Sequence, residues 1–128
     1  MRLLFDTVIL IRCLDNQTDR LPKDVRALAE NGDHASFASV VSLWEVTIKN
    51  QLGKLPLPCS PVDLPEMLPL LGINILPLMP SHAVHVNSVQ PSTKDPFDRM
   101  LLSICALEDM RLVTIDAALK NHPLAWRA

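Results

Sequence analysis

The chain alternates short apolar segments with longer segments of helical periodicity, and this alternation constrains the fold more than any other feature. Short apolar runs bounded by polar or turn residues predict buried strands at residues 2–5, 35–38, 73–78 and 111–115. Helices are predicted at residues 7–14, 22–30, 39 or 42 to 52, 66–71, 81–89 and 98–110. Strands that alternate with helices form a mostly parallel central sheet with helices on both faces, so the sequence predicts the α/β class.

Helical spacing also predicts which side chains face the core. In the helix that ends at residue 52, the spacing predicts one inward stripe of Val41, Trp44, Ile48 and Leu52, with Glu45 at its edge. In the first helix we expect Val8 and Ile11 to face inward, together with Leu14. Pro69 fits poorly inside its predicted helix, so a kink or an early end is expected there.

The length of 128 residues predicts one domain that spans residues 1–128. Hydrophobic residues make up 48% and charged residues 20%, which is typical of a globular protein. The formal net charge of -2 argues against a protein that coats DNA, because such proteins are basic. A local nucleic-acid site remains compatible with this charge, since acids that hold metal ions would offset basic residues elsewhere.

The cysteines indicate a reducing compartment. Cys13, Cys59 and Cys105 are odd in number, far apart and without a C-x-x-C pair, which favours reduced thiols over disulfides or a zinc site. Asp6 interrupts the apolar N-terminal run, and no apolar stretch approaches the roughly 18 residues of a membrane span. We therefore expect a soluble cytoplasmic protein with no membrane segment.

Four acids occupy positions where parallel α/β sheets bind ligands. Asp6 ends the first strand, Asp116 follows the last, Asp98 opens the helix before that last strand, and Glu45 lies in the helix after the second strand. Ligands bind beyond the carboxyl ends of such strands, so these four side chains are expected to converge.

Some of these acids also have a purely local explanation. Asp95 and Pro96 suit the N-cap and the first helical position, and Asp98 suits the first turn, because free N–H groups and the helix dipole favour acids there. Glu45 would close a capping box with Ser42 if that helix began at Ser42. Both explanations stay open for Glu45, whereas capping suffices to explain Asp95.

Electrostatics gives the convergence a chemical meaning. Two carboxylates ~5 Å apart at an effective dielectric constant of ~20 repel each other by about 3 kcal/mol. A cluster of such groups therefore takes up protons or holds a cation. Carboxylate-rich sites favour Mg²⁺ or Mn²⁺, which can activate water and stabilise charge on a phosphodiester. The residues thus predict metal-assisted hydrolysis of phosphodiester bonds.

The chain resembles PIN-domain ribonucleases of the VapC toxin type over nearly its full length. The resemblance rests on the order and spacing of five motifs: Leu3-Leu4-Phe5-Asp6-Thr7, Ser42-Leu43-Trp44-Glu45-Val46, Gly53-Lys54-Leu55, Asp95-Pro96-Phe97-Asp98-Arg99 and Leu112-Val113-Thr114 with Asp116. It implies a three-layer PIN-like fold and an endoribonuclease that depends on Mg²⁺ or Mn²⁺. It also implies an RNA substrate, a cognate antitoxin that blocks the active site, and a homodimer.

In that family the acids that match Asp6, Glu45, Asp98 and Asp116 hold the metal and carry the catalysis. Val8 departs from the pattern, because relatives often have a histidine two residues after the first aspartate. A second departure is Thr93-Lys94, where relatives often have a histidine before the Asp-Pro-Phe-Asp segment. Neither change removes a metal-binding acid, so activity is expected to survive.

Basic residues near the acids are candidates for binding RNA. Lys49 and Arg99 lie close to the acids by helical spacing, and we expect them to pair with carboxylates in the free protein or to meet RNA phosphates. Lys54 and Lys94 are more exposed candidates. Thr7 and Thr114 are candidates for orienting water or carboxylates.

His82 and His85 have a spacing that could serve a metal, although surface or capping histidines are more common. An aspartyl-nucleophile phosphatase needs a second acid two residues after Asp6, and Val8 excludes it. The alternative from another class is a non-catalytic PIN-fold module that binds RNA or a protein partner. Four acids in one pocket count against it, since an RNA binder has no use for a negative cavity.

Overall fold

The computed structural model describes residues 1–128, and its centre is a four-stranded, all-parallel sheet. The strands are β1 (Arg2–Phe5), β2 (Ala35–Ser39), β3 (Ile73–Leu76) and β4 (Arg111–Val113), in the spatial order β3-β2-β1-β4. Leu112 also forms a parallel bridge with Ala125, so the C-terminal segment covers the outer edge of β4. The α/β class and the parallel sheet are confirmed.

Six α-helices connect and cover the strands. They are α1 (Thr7–Leu14), α2 (Lys23–Glu30), α3 (Val40–Gln51), α4 (Leu64–Leu70), α5 (Pro80–Val84) and α6 (Pro96–Glu108), and two short 3₁₀ helices lie at Thr18–Arg20 and Pro61–Asp63. No helix combines the length and the apolar character that crossing a membrane requires.

The two faces of the sheet bury separate apolar clusters because side chains alternate along a strand. Leu3 and Phe5 of β1 join the larger cluster, to which α1, α2 and α4 contribute. Leu4 points to the opposite face and joins Leu101 and Leu102 of α6 in the second cluster. The sheet therefore has helices on both sides, as predicted.

Several predicted boundaries of strands and helices are wrong. β3 ends at Leu76 instead of residue 78, because Pro77 has no backbone N–H to continue the ladder. β4 ends at Val113 instead of residue 115, and α5 stops at Val84 instead of residue 89. α6 begins at Pro96 with Asp95 as its N-cap, which confirms the local prediction for this pair.

The predicted inward stripe of α3 is correct at Val41 but wrong at Trp44 and Leu52. Trp44 is 62% exposed and Leu52 is 63% exposed, while the buried face carries Val41, Ser42, Glu45 and Val46. The helix thus turns two polar side chains inward and leaves apolar ones at the surface. In α1, Val8 is likewise exposed, and the buried residues include Ile9, Leu10 and Ile11.

Candidate active site

Asp6 is fixed at the carboxyl end of β1 by three hydrogen bonds. Its backbone N–H donates to the Val113 carbonyl at 3.0 Å, which ties it to β4. One carboxylate oxygen accepts the Thr7 N–H at 2.7 Å as the N-cap of α1, and the other accepts the Thr114 hydroxyl at 2.7 Å. Asp6 is only 5% exposed. The carboxylate is therefore held in one orientation.

Glu45 lies in the second turn of α3 and points into the protein. The helix begins at Val40, and Ser39 caps it by accepting the Val41 N–H at 3.0 Å. A capping box between Ser42 and Glu45 therefore does not form. Instead Glu45 Oε1 accepts the Thr7 hydroxyl at 2.6 Å and Oε2 accepts Lys49 Nζ at 2.5 Å.

The start of α6 brings two further acids. Asp95 caps the helix by accepting the Phe97 N–H at 2.8 Å. Asp98 lies three residues after Asp95 and is half-buried, with only a long 3.5 Å contact from the Thr93 hydroxyl. Asp98 thus has the least hydrogen-bonding support of the buried or half-buried acids here.

Asp116 follows β4 and is exposed. Its carboxylate accepts the Ala118 N–H at 2.9 Å, and its own N–H donates to the Thr114 hydroxyl at 3.1 Å. Since that hydroxyl also donates to Asp6, Thr114 links the acids at the ends of β1 and β4. Thr7 plays a matching role between Asp6 and Glu45, so both threonines orient carboxylates.

These acids surround one cavity of about 570 Å³. The four predicted site acids all border it, and Asp95 borders it as well. The cavity lies where β1 and β4 end, and the first turns of α1 and α6 form part of its wall. The predicted convergence of distant segments on this edge of the sheet is thus present in the fold.

Burial, and then the crowding of negative charge, raise the pKa values of Asp98 and Asp6 in this cavity. Burial first, and then the charges of Asp95, Asp6, Asp116 and Glu45, raise the pKa of Asp98 from 3.8 to about 7. The pKa of Asp6 is raised by burial and by its acidic neighbours, while the hydrogen bonds from Thr114 and Thr7 act to lower it. A bound cation would relieve this repulsion.

Lys49 supplies part of the positive charge at the cavity. The hydrogen bond to Glu45 is the main factor that raises the pKa of this lysine, and Asp95 and Asp98 add to it. Lys49 therefore pairs with a carboxylate, as predicted. Arg99 does not, because its Nη1 donates to Gln90 Oε1 at 3.0 Å. Lys54 and Lys94 are exposed, and neither they nor Arg99 border the cavity.

The donor set fits a hard divalent cation in its chemistry. All the candidate ligands are carboxylate oxygens, and the cavity has room for an ion with several waters. No group of three His, Cys, Asp or Glu side chains is already arranged as a ligand shell. Mg²⁺ usually keeps several waters and binds through one or two carboxylates, so these residues fit it without a complete shell of protein ligands.

Neither candidate histidine belongs to a group that could hold a metal, and His82 has structural partners instead. His82 is buried, its Nδ1 accepts the Met79 N–H at 2.9 Å, and its Nε2 lies 2.8 Å from Glu108 Oε1. His85 follows the end of α5 and forms no metal-ligand group with His82.

Sequence reasoning missed three residues that border the cavity. Arg12 and Gln17 are hydrogen-bonded to each other at 2.9 Å, and Asp15 lies between them in the chain. Arg12 lies on the same helix that begins after Asp6, which is a weak sequence signal. The positions of Asp15 and Gln17 depend on the loop after α1, and no local pattern indicates them.

The sequence matches the PIN domain family over residues 3–123, and the chain belongs to this family. PIN domains are generally nucleases that use divalent metal ions. No curated protein matches the sequence. A solved structure with the same fold is a toxin–antitoxin complex from Klebsiella pneumoniae, with a TM-score of 0.59 and 18% identity over 98% of this chain and 96% of that chain.

Proposed function

We propose that the chain is a VapC-type toxin that acts as one domain and hydrolyses phosphodiester bonds inside RNA. Asp6, Glu45, Asp98 and Asp116 would hold Mg²⁺ or Mn²⁺ and carry the catalysis. The observation that supports this most is the meeting of these four acids in one cavity, where burial first, and then the neighbouring carboxylates, raise the pKa of Asp98 to about 7. A cluster of carboxylates of this kind takes up protons or binds a cation.

The residues around the cavity have separate tasks in this proposal. Thr7 and Thr114 keep the carboxylates of Glu45 and Asp6 in fixed orientations through bonds of 2.6 and 2.7 Å. Asp98, which lacks such support, can adjust its carboxylate to a ligand. When bound, the cation would supply Lewis-acid chemistry that makes water a better nucleophile and offsets charge on the phosphodiester.

Binding of the RNA backbone requires positive charge, because the cavity itself is negative. We assign this task to Lys54, Lys94 and Arg99, which are exposed, and to Lys49 at the cavity. None of the three exposed residues forms an ion pair in the free protein, so their charges are available to phosphates.

A cognate antitoxin is proposed as the inhibitor of this site. The solved structure of similar fold is a complex of a toxin with its antitoxin, which supports this partner. A small reading frame adjacent to the gene would encode it. Co-purification of the two chains, with loss of RNA cleavage in the complex, is the expected result.

We also propose a homodimer and a cytoplasmic location. Trp44 and Leu52 leave an exposed apolar stripe on α3, and Trp44 packs edge-on against Phe97 with ring centroids 5.6 Å apart. A second copy of the chain would cover this surface, and Leu52→Glu should then shift the mass measured by light scattering from dimer to monomer. The three unpaired cysteines fit a reducing cytoplasm, where RNA substrates are also found.

The direct test of the activity uses purified protein, a pool of structured and single-stranded RNA, and Mg²⁺ or Mn²⁺. Cleavage should appear with either ion, stop on addition of EDTA, and disappear in Asp6→Asn. Asp33→Asn is the matched control, because Asp33 is exposed and does not border the cavity. Folded protein that binds RNA but does not cleave it with any divalent ion would favour the non-catalytic module.

A further inference from the structure

Lys49 forms the one ion pair to a site carboxylate. Its Nζ lies 2.5 Å from Glu45 Oε2, and the negative charges of Asp95 and Asp98 also favour the charged ammonium. It is the only lysine that borders the cavity. The ammonium thus lies among the acids that the proposed function assigns to a divalent ion.

The pair differs from an ordinary ion pair on a helix surface. Exposed i,i+4 pairs contribute little to stability, because water screens both charges. Here the Glu45 side chain is 7% exposed, while the Lys49 side chain is 45% exposed and reaches in from the solvent side. The carboxylate is therefore fixed and desolvated, and the ammonium is the mobile partner.

Both oxygens of Glu45 are already occupied in the free protein. Oε1 accepts the Thr7 hydroxyl at 2.6 Å, and Oε2 accepts the Lys49 ammonium. The hydroxyl of Thr7 has a second acceptor within reach, since Ser42 Oγ lies 3.2 Å away. A neutral donor of this kind can stay beside a metal-bound carboxylate. A positive ammonium cannot stay without repelling the ion.

We infer that Lys49 is a tethered counter-cation that competes with the divalent ion for Glu45. This inference rests on the proposed function, because it concerns the metal site assigned there. In the free protein Lys49 offsets part of the repulsion among the acids. Binding of the ion displaces the ammonium from Glu45, so Lys49 acts as a positioning residue that lowers the affinity of the site for metal.

The first experiment titrates Mn²⁺ into the metal-free protein by isothermal titration calorimetry. Lys49→Met should bind Mn²⁺ about tenfold more tightly than wild type, because the positive charge that competes with the ion for Glu45 is removed. Lys49→Arg keeps the charge and should bind as wild type does. Lys23→Met is the matched control, since Lys23 is exposed and does not border the cavity, and its Mn²⁺ affinity should not change.

The outcomes separate this inference from the function on which it rests. Equal or weaker Mn²⁺ binding by Lys49→Met, with wild-type binding measurable, overturns the counter-cation and leaves the metal site intact. Absence of Mn²⁺ binding in both proteins overturns the metal site and the counter-cation together.

A second experiment needs no variant and so does not depend on the folding of Lys49→Met. Brief acetylation of lysines by an activated ester, read by mass spectrometry, reports how free each ammonium is. Saturating Mg²⁺ should raise the labelling of Lys49 several-fold and leave that of the exposed Lys23 unchanged. Unchanged or lower labelling of Lys49 at a Mg²⁺ concentration shown to bind would overturn the inference.

Discussion

Helix α6 carries a partly buried carboxylate near each end, and the two have opposite environments. Asp98 lies in the first turn, where the helix dipole favours an acid, yet four other acids surround it. Glu108 ends the helix, where the dipole disfavours an acid, yet it has a buried histidine as its partner. The two positions are 10 residues apart in α6, which is about 15 Å along the helix axis.

The contrast supports a structural role for Glu108 and the metal-binding role proposed for Asp98. The His82 side chain is fully buried, and because Nδ1 accepts the Met79 N–H, its proton lies on Nε2 and is donated to Glu108 at 2.8 Å. Each polar atom of this histidine therefore has a partner inside the chain. Asp98 has no comparable partner inside the chain, so its carboxylate is available to the proposed cation.

The largest expected effect separates the two ends by activity. Asp98→Asn keeps the shape of the side chain but removes a ligand charge, and it should reduce RNA cleavage at least about 1,000-fold, or about 4 kcal/mol of transition-state stabilisation. Glu108→Gln should cleave as wild type does. Initial rates with saturating Mg²⁺ test both variants, and an active Asp98→Asn would remove the distinction.

The next largest effect is on stability and concerns the histidine that pairs with Glu108. His82→Ala should lower the free energy of unfolding by about 2–3 kcal/mol, because it leaves a cavity and unpaired polar groups between α5 and α6. Urea unfolding measures this loss, and cleavage per folded molecule should not change. A variant as stable as wild type would show that the histidine pair contributes nothing to the fold.

In the absence of metal, the environment of Asp98 should make the stability of the protein depend on pH. Because the pKa of Asp98 is raised from 3.8 to about 7, the folded state binds a proton more tightly, and wild type loses stability as the pH rises through this range. In EDTA, Asp98→Asn should therefore match wild type near pH 4. Above pH 7 it should be more stable by about 1 kcal/mol, a figure reduced for solvent screening. Thermal melts across this range measure the difference, and Asp98→Asn that is less stable at pH 8 would contradict it.

The smallest effect concerns the exposed surface beside the Asp98 end. Arg99→Gln should weaken RNA binding by a few-fold and change the free energy of unfolding by no more than about 0.5 kcal/mol. Fluorescence anisotropy with labelled RNA at two salt concentrations should also show a shallower salt dependence. Binding identical to wild type at both concentrations would remove Arg99 from the RNA surface.

Local patterns in the sequence predicted much of the fold. The run Leu3-Leu4-Phe5 followed by Asp6, and the cap formed by Asp95 and Pro96, have the predicted structures because short-range rules govern them. The predicted meeting of Asp6, Glu45, Asp98 and Asp116 at one cavity required only the rule that parallel strands end at the same edge.

The orientation of α3 could not be predicted in the same way. Helical periodicity assigned Trp44 and Leu52 to the core, but the helix turns Ser42 and Glu45 inward. That rotation is stabilised by the hydroxyl of Thr7, a residue of α1 that lies 38 positions before Glu45 in the chain. Periodicity contains no information about such a distant partner.

A crystal of the protein soaked in Mn²⁺ and measured at the manganese absorption edge tests the central claim most directly. The anomalous difference map should show a peak in the cavity, within bonding distance of carboxylate oxygens from Asp6 and Asp98 and close to Glu45 and Asp116. A map in which Mn²⁺ binds only elsewhere, or in which the cavity holds no peak at saturating Mn²⁺, would contradict the account.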